Sequence, residues 1–120
     1  MMNEILRCRP WIEAALEYSH GTHEFIDVVD AILSGKMQLW SNEHGCAVTE
    51  VIDYPRKRML HVFLAGGSKE AISDLSEPAL KWAKDIGCSD LTLTGRKGWT
   101  KALKNDGWTT SHVMMIKEVI

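Results

Sequence analysis

Arg58 to Gly87 is the stretch that most restricts what this chain can fold into. Met59-Leu60-His61-Val62-Phe63-Leu64 alternates as a strand does, Ala65-Gly66-Gly67-Ser68 follows, and an amphipathic helix then runs to Gly87. In that helix Ile72, Leu75, Ala79, Trp82, Ala83 and Ile86 form one stripe, while Lys69, Glu70, Asp74, Lys81 and Lys84 lie off it, as in a helix laid on a sheet. Pro78 either kinks the helix or sits early in a second segment capped by Ser76. Strand, glycines and helix start together suggest an anion site at Gly66, Gly67 and Ser68. The N–H groups of a first helical turn point one way and carry partial positive charge, and glycine permits close approach. The plainer reading of the same residues is a tight strand-to-helix turn with Ser68 as N-cap.

Around this unit the other elements follow from spacing. Pro10 suits a first helical turn, and Ile12, Ala15, Leu16 and Ser19 continue a short helix that stops at Gly21. Thr22 is the expected N-cap of a second helix carrying Phe25, Ile26, Val29, Ile32 and Leu33 and ending at Gly35. Met37–Trp40, Cys46–Tyr54 and Met59–Ala65 read as three strands joined by tight turns, an antiparallel meander. Ser89–Thr94, reached by a long helical crossover, is then a strand parallel to Met59–Ala65. Trp99–Asn105 predicts a short helix, and Trp108–Ile120 a last strand. The fold class is α/β (α+β): a mixed, mostly antiparallel sheet with one central parallel step and helices on both faces. A ligand crevice is expected outside the carboxyl ends of the parallel strands, beside Gly66-Gly67-Ser68.

The length, 120 residues, predicts a single domain spanning residues 1–120. A net charge of −2 lacks the basic face that nucleic-acid binding requires. No apolar run approaches the roughly 18 residues of a membrane span, and no export signal opens the chain. Cys8, Cys46 and Cys88 are far apart and never in a C-x-x-C pair, which fits reduced thiols in the cytoplasm. His20-Gly21-Thr22-His23-Glu24 and His44-Gly45-Cys46 hold ligand residue types but too few in one place for zinc, so no metal is expected.

Several segments together carry a family resemblance: Tyr54-Pro55-Arg56-Lys57-Arg58, His61–Gly67, Trp82-Ala83-Lys84-Asp85-Ile86-Gly87-Cys88, Thr94–Trp99, Asn105-Asp106-Gly107-Trp108 and Met115–Ile120. From Leu33 onward the chain resembles the GNAT acetyltransferase superfamily, in particular the short GNAT-like proteins of tailed phages. The resemblance implies acetyl-CoA as cosubstrate, with pantetheine along Phe63, Leu64 and Ala65 and pyrophosphate on Gly66, Gly67 and Ser68. Lys69, with Arg96, Lys97 and Lys101, is a candidate for phosphate charge. The family's Arg/Gln-x-x-Gly-x-Gly/Ala loop is here the shorter Ala65-Gly66-Gly67-Ser68-Lys69. Its late tyrosine has no counterpart, since the only tyrosines are Tyr18 and Tyr54.

Three residues are candidates for proton transfer. Glu50 lies on the middle meander strand, where the resemblance implies a carboxylate that accepts a proton from the acceptor amine, a task for which burial would raise its pKa. His61 and His112 are the other candidates, because an imidazole titrates near neutrality. Two functions follow as expectations. One is an acyl-CoA-binding domain that transfers an acyl group to an amine. The alternative is a phage protein, in the host cytoplasm or the virion, that keeps the fold as a scaffold for phage or host protein contacts. A homodimer is compatible with both. Tryptophans at positions 11, 40, 82, 99 and 108 are expected in the core, any exposed one marking a contact.

Overall fold

The computed structural model describes residues 1–120. Two helices, α1 (Met2–Leu16) and α2 (Phe25–Leu33), precede the strands β1 (Gln38–Asn42), β2 (Gly45–Asp53) and β3 (Arg58–Gly67). The long α3 (Lys69–Asp85) crosses to β4 (Cys88–Leu93), and the short α4 (Gly98–Ala102) leads to a 3-10 turn at Lys104–Asp106. The sheet order is β1-β2-β3-β4, antiparallel except for the β3–β4 pair. The mixed sheet with one parallel step and helices on both faces is therefore as expected.

Four local expectations are corrected. α1 begins at Met2, well before Pro10, and carries that proline inside it on the exposed side, where the Leu6 carbonyl that loses its donor can meet water. Its buried stripe is Ile5, Cys8 and Ile12. Thr22 does not cap α2; Glu24 is the N-cap, and its own N–H donates to Asp27 Oδ2 at 2.8 Å. α3 runs unbroken through Pro78, which is exposed. Finally, Thr109–Ile120 forms no strand, so the parallel pair lies at the sheet's edge rather than in its middle.

Two cores lie on opposite faces. α1 and α2 pack Ile5, Cys8, Ile12, Val28, Val29 and Ile32 against Cys46, Val48 and Leu64. On the other face Ala79 and Ala83 of α3 pack on Leu60, with Trp40, Trp82 and Leu91 around them. All five tryptophans are half-buried, as the core-packing expectation requires in part. Thr49, buried on the α3 side, accepts from Trp40 Nε1 at 2.9 Å and donates to Gln38 Oε1 at 2.8 Å, so its hydroxyl is satisfied.

β3 serves both cores because of a bulge. Val48 is opposite Leu64 and Thr49 opposite Val62, which leaves Phe63 as an extra residue on β3. Leu60 and Val62 face α3, and after the bulge Phe63 and Leu64 face α1 and α2. One inserted residue thus switches the side to which the strand's apolar residues point.

α1 is tied to the β1–β2 hairpin by an ionic group. Arg7 donates to Glu4 at 2.7 Å and to the Asn42 carbonyl at 2.7 Å, and Ser41 Oγ donates to Glu4 Oε2 at 2.6 Å. The Arg7 and Ser41 hydrogen bonds hold the Glu4 carboxyl down at about 2.

Candidate functional site

The parallel ladder between β3 and β4 stops early. It runs from Arg58↔Cys88 to Val62↔Leu93, after which only the Thr94 N–H reaches back, to the Val62 carbonyl at 3.4 Å. β3 continues through Phe63 to Gly67 with no β4 partner. The Phe63 bulge sits one residue past the last pair, and bulges bend and twist their strand, so the separation has a local cause. The place where the crevice is expected is thus the open end of this ladder, a wedge bounded by the unpaired edge of β3.

The diglycine is not a loop. Gly66 and Gly67 are the last residues of β3, opposite Cys46 and Gly45, and Ser68 alone links the strand to α3. Their lack of side chains serves the chain's own packing. A Cβ on Gly66 would lie 2.9 Å from Trp11 Cβ, and one on Gly67, whose φ is +110°, would lie 2.2 Å from the His44 carbonyl oxygen. Ser68 caps α3, accepting from the Ala71 N–H at 3.1 Å, and its own N–H donates to the His44 carbonyl at 3.0 Å. The next two N–H groups, of Lys69 and Glu70, have no partner in the chain, and both residues are exposed. Of the anion site read from the sequence, these two donors and the Lys69 ammonium are what the geometry leaves free.

Glu50 and His61, chosen separately from the sequence, are direct cross-strand neighbours in β2 and β3. Both lie on the α1/α2 face. His61 Nδ1 is 2.9 Å from Thr92 Oγ1 and Nε2 is 3.0 Å from Thr94 Oγ1, so both ring nitrogens are engaged. Burial lowers the His61 pKa, and the Glu50 charge opposes that in part, so the ring is neutral at pH 7. Thr92 and Thr94 escaped the sequence reading. The signal was available, since alternate residues of a strand parallel to His61's own share its face.

The α1–α2 connection comes over the same region. The His23 ring lies 4.6 Å from the Phe63 ring, centroid to centroid, tilted by 53°, and Thr22 Oγ1 is 2.7 Å from His23 Nδ1. Arg96, from the loop after β4, stands 5.5 Å from the Tyr18 ring. Aromatic and basic groups thus border the surface that holds Glu50 and His61. No three His, Cys, Asp or Glu side chains converge closely enough to hold a metal ion, and no helix is long and apolar enough to cross a membrane.

On the α3 side of the wedge, Leu103 and Trp108 approach Val62, Leu91 and Leu93, leaving a cavity of about 40 Å3 that Ser73, Ser76 and Asp106 also line. Ser73 Oγ donates to Asp106 Oδ2 at 2.7 Å, tying α3 to the turn after α4.

Comparison with solved structures identifies the class of fold. The aminoglycoside acetyltransferase meta-AAC0020 from an uncultured soil metagenomic sample is similar over 98% of this chain and 89% of its own, with a TM-score of 0.72 at 9% identity. Glucosamine-6-phosphate N-acetyltransferase from Arabidopsis thaliana is similar over 79% of this chain and 76% of its own, at 0.63 and 14%. TTHA1254 from Thermus thermophilus has a TM-score of 0.60 at 22% identity over 83% of this chain and 84% of its own. No protein-family model and no curated protein matches the sequence. The chain has the GNAT fold.

Proposed function

We propose that this chain binds an acyl-coenzyme A in the wedge between β3 and β4 and passes the acyl group to an amine held on the α1/α2 face of the sheet. The observation that carries this reading is the end of the parallel ladder at Val62↔Leu93 while β3 runs on to Gly67. A strand with one free edge can pair with an extended amide-bearing ligand as it would with another strand. Phe63, Leu64 and Ala65 would hold the pantetheine in this way. The N-terminal turn of α3 at Ser68 and Lys69, with the free N–H groups of Lys69 and Glu70, would take the phosphates, and Gly66 and Gly67 would set that turn against β2.

The cosubstrate supplies an acyl group already activated as a thioester. The chain supplies placement and proton handling. Neutral His61, whose acceptor nitrogen takes a hydrogen bond from a threonine hydroxyl, receives through that hydroxyl the proton the amine gives up as its nitrogen bonds to the acyl carbon and the carbon–sulfur bond breaks. Glu50, opposite His61 in the ladder, favours the imidazolium that forms, because a neighbouring carboxylate stabilises the charged ring. The departing sulfur then takes the proton back, which balances the exchange without a tyrosine acid.

Titration with acetyl-CoA tests this. Saturable binding that weakens about tenfold in Lys69→Glu, a charge reversal at an exposed position, is the expected result. No binding at millimolar ligand, or binding indifferent to Lys69→Glu, overturns it. One observation favours a second reading, a scaffold that keeps the fold without acyl transfer: Leu103 and Trp108 leave only about 40 Å3 beside Val62 and Leu93. The likeness to tailed-phage proteins, and a virion or host protein as partner, belong to that reading.

A further inference from the structure

The segment Thr109–Ile120 enters no helix or strand, and its backbone makes no hydrogen bond to the rest of the chain. Yet it is apolar. Val113, Met114, Met115 and Ile116 are consecutive, and Val119 and Ile120 follow Lys117-Glu118. Met115 is 89% exposed and Val119 97%. Successive side chains of an extended segment point to opposite faces, so a run of four apolar residues is apolar on both, the pattern of a strand covered from both sides. Apolar surface concentrated in this way marks a contact.

The sheet has the matching gap. β4 pairs with β3 only, so along Cys88–Leu93 the outer row of backbone donors and acceptors has no strand beside it. Open edges of this kind recruit a further strand unless they are blocked. The protection of this edge is confined to its first half, where Asp90 pairs with Lys57 and the register slips at Ser89; Leu91–Leu93 carry no charge and no proline.

We infer that Thr109–Ile120 of one chain docks as a fifth strand on β4 of a second copy, whose own segment returns the exchange to close a two-fold dimer. Trp108, immediately before the segment, lines one cavity with Leu91 and Leu93, yet from there the segment makes no backbone hydrogen bond to its own β4. Reciprocal exchange satisfies both segments and both edges at once, which a single partner of another kind does not. The area suffices. Burial of a Val, Ile or Met side chain removes about 60–120 Å2, so six per segment contribute about 700–1,400 Å2 from two segments before the receiving surfaces are counted, against a standard interface of about 1,200–2,000 Å2 in total. This inference stands apart from the acyl-CoA reading and survives its failure.

Sedimentation equilibrium of the full chain, with hydrogen exchange on the same samples, tests it. The expected mass is twice the 13.5 kDa of one chain, with amides of Val113–Val119 and alternate amides of β4 protected in the dimer and exposed on dilution. Met115→Pro removes a donor that no partner within the chain uses, so the monomer folds as before and the dimer dissociation constant rises tenfold or more. A monomer at every concentration with an unprotected segment overturns the inference. So does a monomer whose segment is protected on its own β4, and so does a dimer indifferent to Met115→Pro.

Discussion

Glu50 and His61 face each other across the β2–β3 ladder, and His61 is held from the far side by the hydroxyls of Thr92 and Thr94 at 2.9 and 3.0 Å. The pair joins β2 to β3, and the two threonines carry the connection on to the edge strand β4. A neutral imidazole has one donor and one acceptor nitrogen, and two hydroxyls can serve both in either tautomer.

That arrangement fixes a pH dependence. Burial depresses the His61 pKa, so below the ordinary imidazole value the unfolded chain binds a proton that the folded chain refuses. Stability is therefore full above about pH 6.5 and falls as pH drops from there toward the folded-state value. Urea midpoints measured from pH 7.5 to 5.5 should decline in the native sequence and stay flatter in His61→Gln. Glu4, held at about 2 by Arg7 and Ser41, contributes stability above the carboxylate range that is lost only in stronger acid, which keeps the two effects apart.

The glycines of β3 should separate from those of the turns. Gly67→Ala puts a Cβ at 2.2 Å from a backbone oxygen and a side chain at φ +110°, so a loss of roughly 3 kcal/mol or more, or failure to fold, is expected. Gly107 has a comparable φ of +85° but open space around it, and Gly107→Ala should cost only about 1–2 kcal/mol. Chemical denaturation of the two variants checks the contrast.

Ser68→Ala removes the cap that accepts the Ala71 N–H and should cost about 1 kcal/mol. Its effect on acetyl-CoA affinity should be smaller than that of Lys69→Glu, because the Lys69 and Glu70 N–H groups stay where they are. Parallel measurements of denaturation and ligand titration separate the capping role from a binding role.

Trp108 offers a way to divide the two functional readings. A ligand that must wait for Trp108 to move binds with an affinity reduced by the fraction of chains already open. Trp108→Ala, which enlarges the cavity beside Val62 and Leu93, should then tighten acetyl-CoA binding by about tenfold. Unchanged absence of binding in this variant supports the scaffold reading.

Thiol reactivity should follow burial. Cys8 and Cys46 are buried and Cys88 is half-buried, and burial is the largest cause raising the pKa of each. A thiol reagent at neutral pH should titrate at most Cys88 in the folded chain and all three residues in denaturant.

The sequence made the central unit legible because its cues are local. The Met59–Leu64 alternation, the Ser68 cap and the α3 stripe are each decided within a few residues, and the long crossover then fixes the parallel direction of β4. Pro10 misled because a helix tolerates proline inside when the unpaired carbonyl faces water, a condition set by which side of α1 is exposed. Gly66-Gly67 read as a ligand cradle because nothing in the sequence shows that Trp11 and His44 come to lie against them, since both contacts span large separations. Trp108–Ile120 read as a strand from its composition, but a strand needs a neighbour, and apolar residues do not say which chain provides it. Strand alternation put Thr92 and Thr94 on one face of β4, and the register then set them beside His61.

The extra residue at Phe63 means that Leu60 and Leu64, only four positions apart, belong to different packing units. Damage to one should not spread to the other. The α1/α2 layer and the α3 layer are in effect two leaves hinged on a shared spine, and loosening of the helical pair above Leu64 can proceed as a local opening while Leu60 and the crossover helix stay closed.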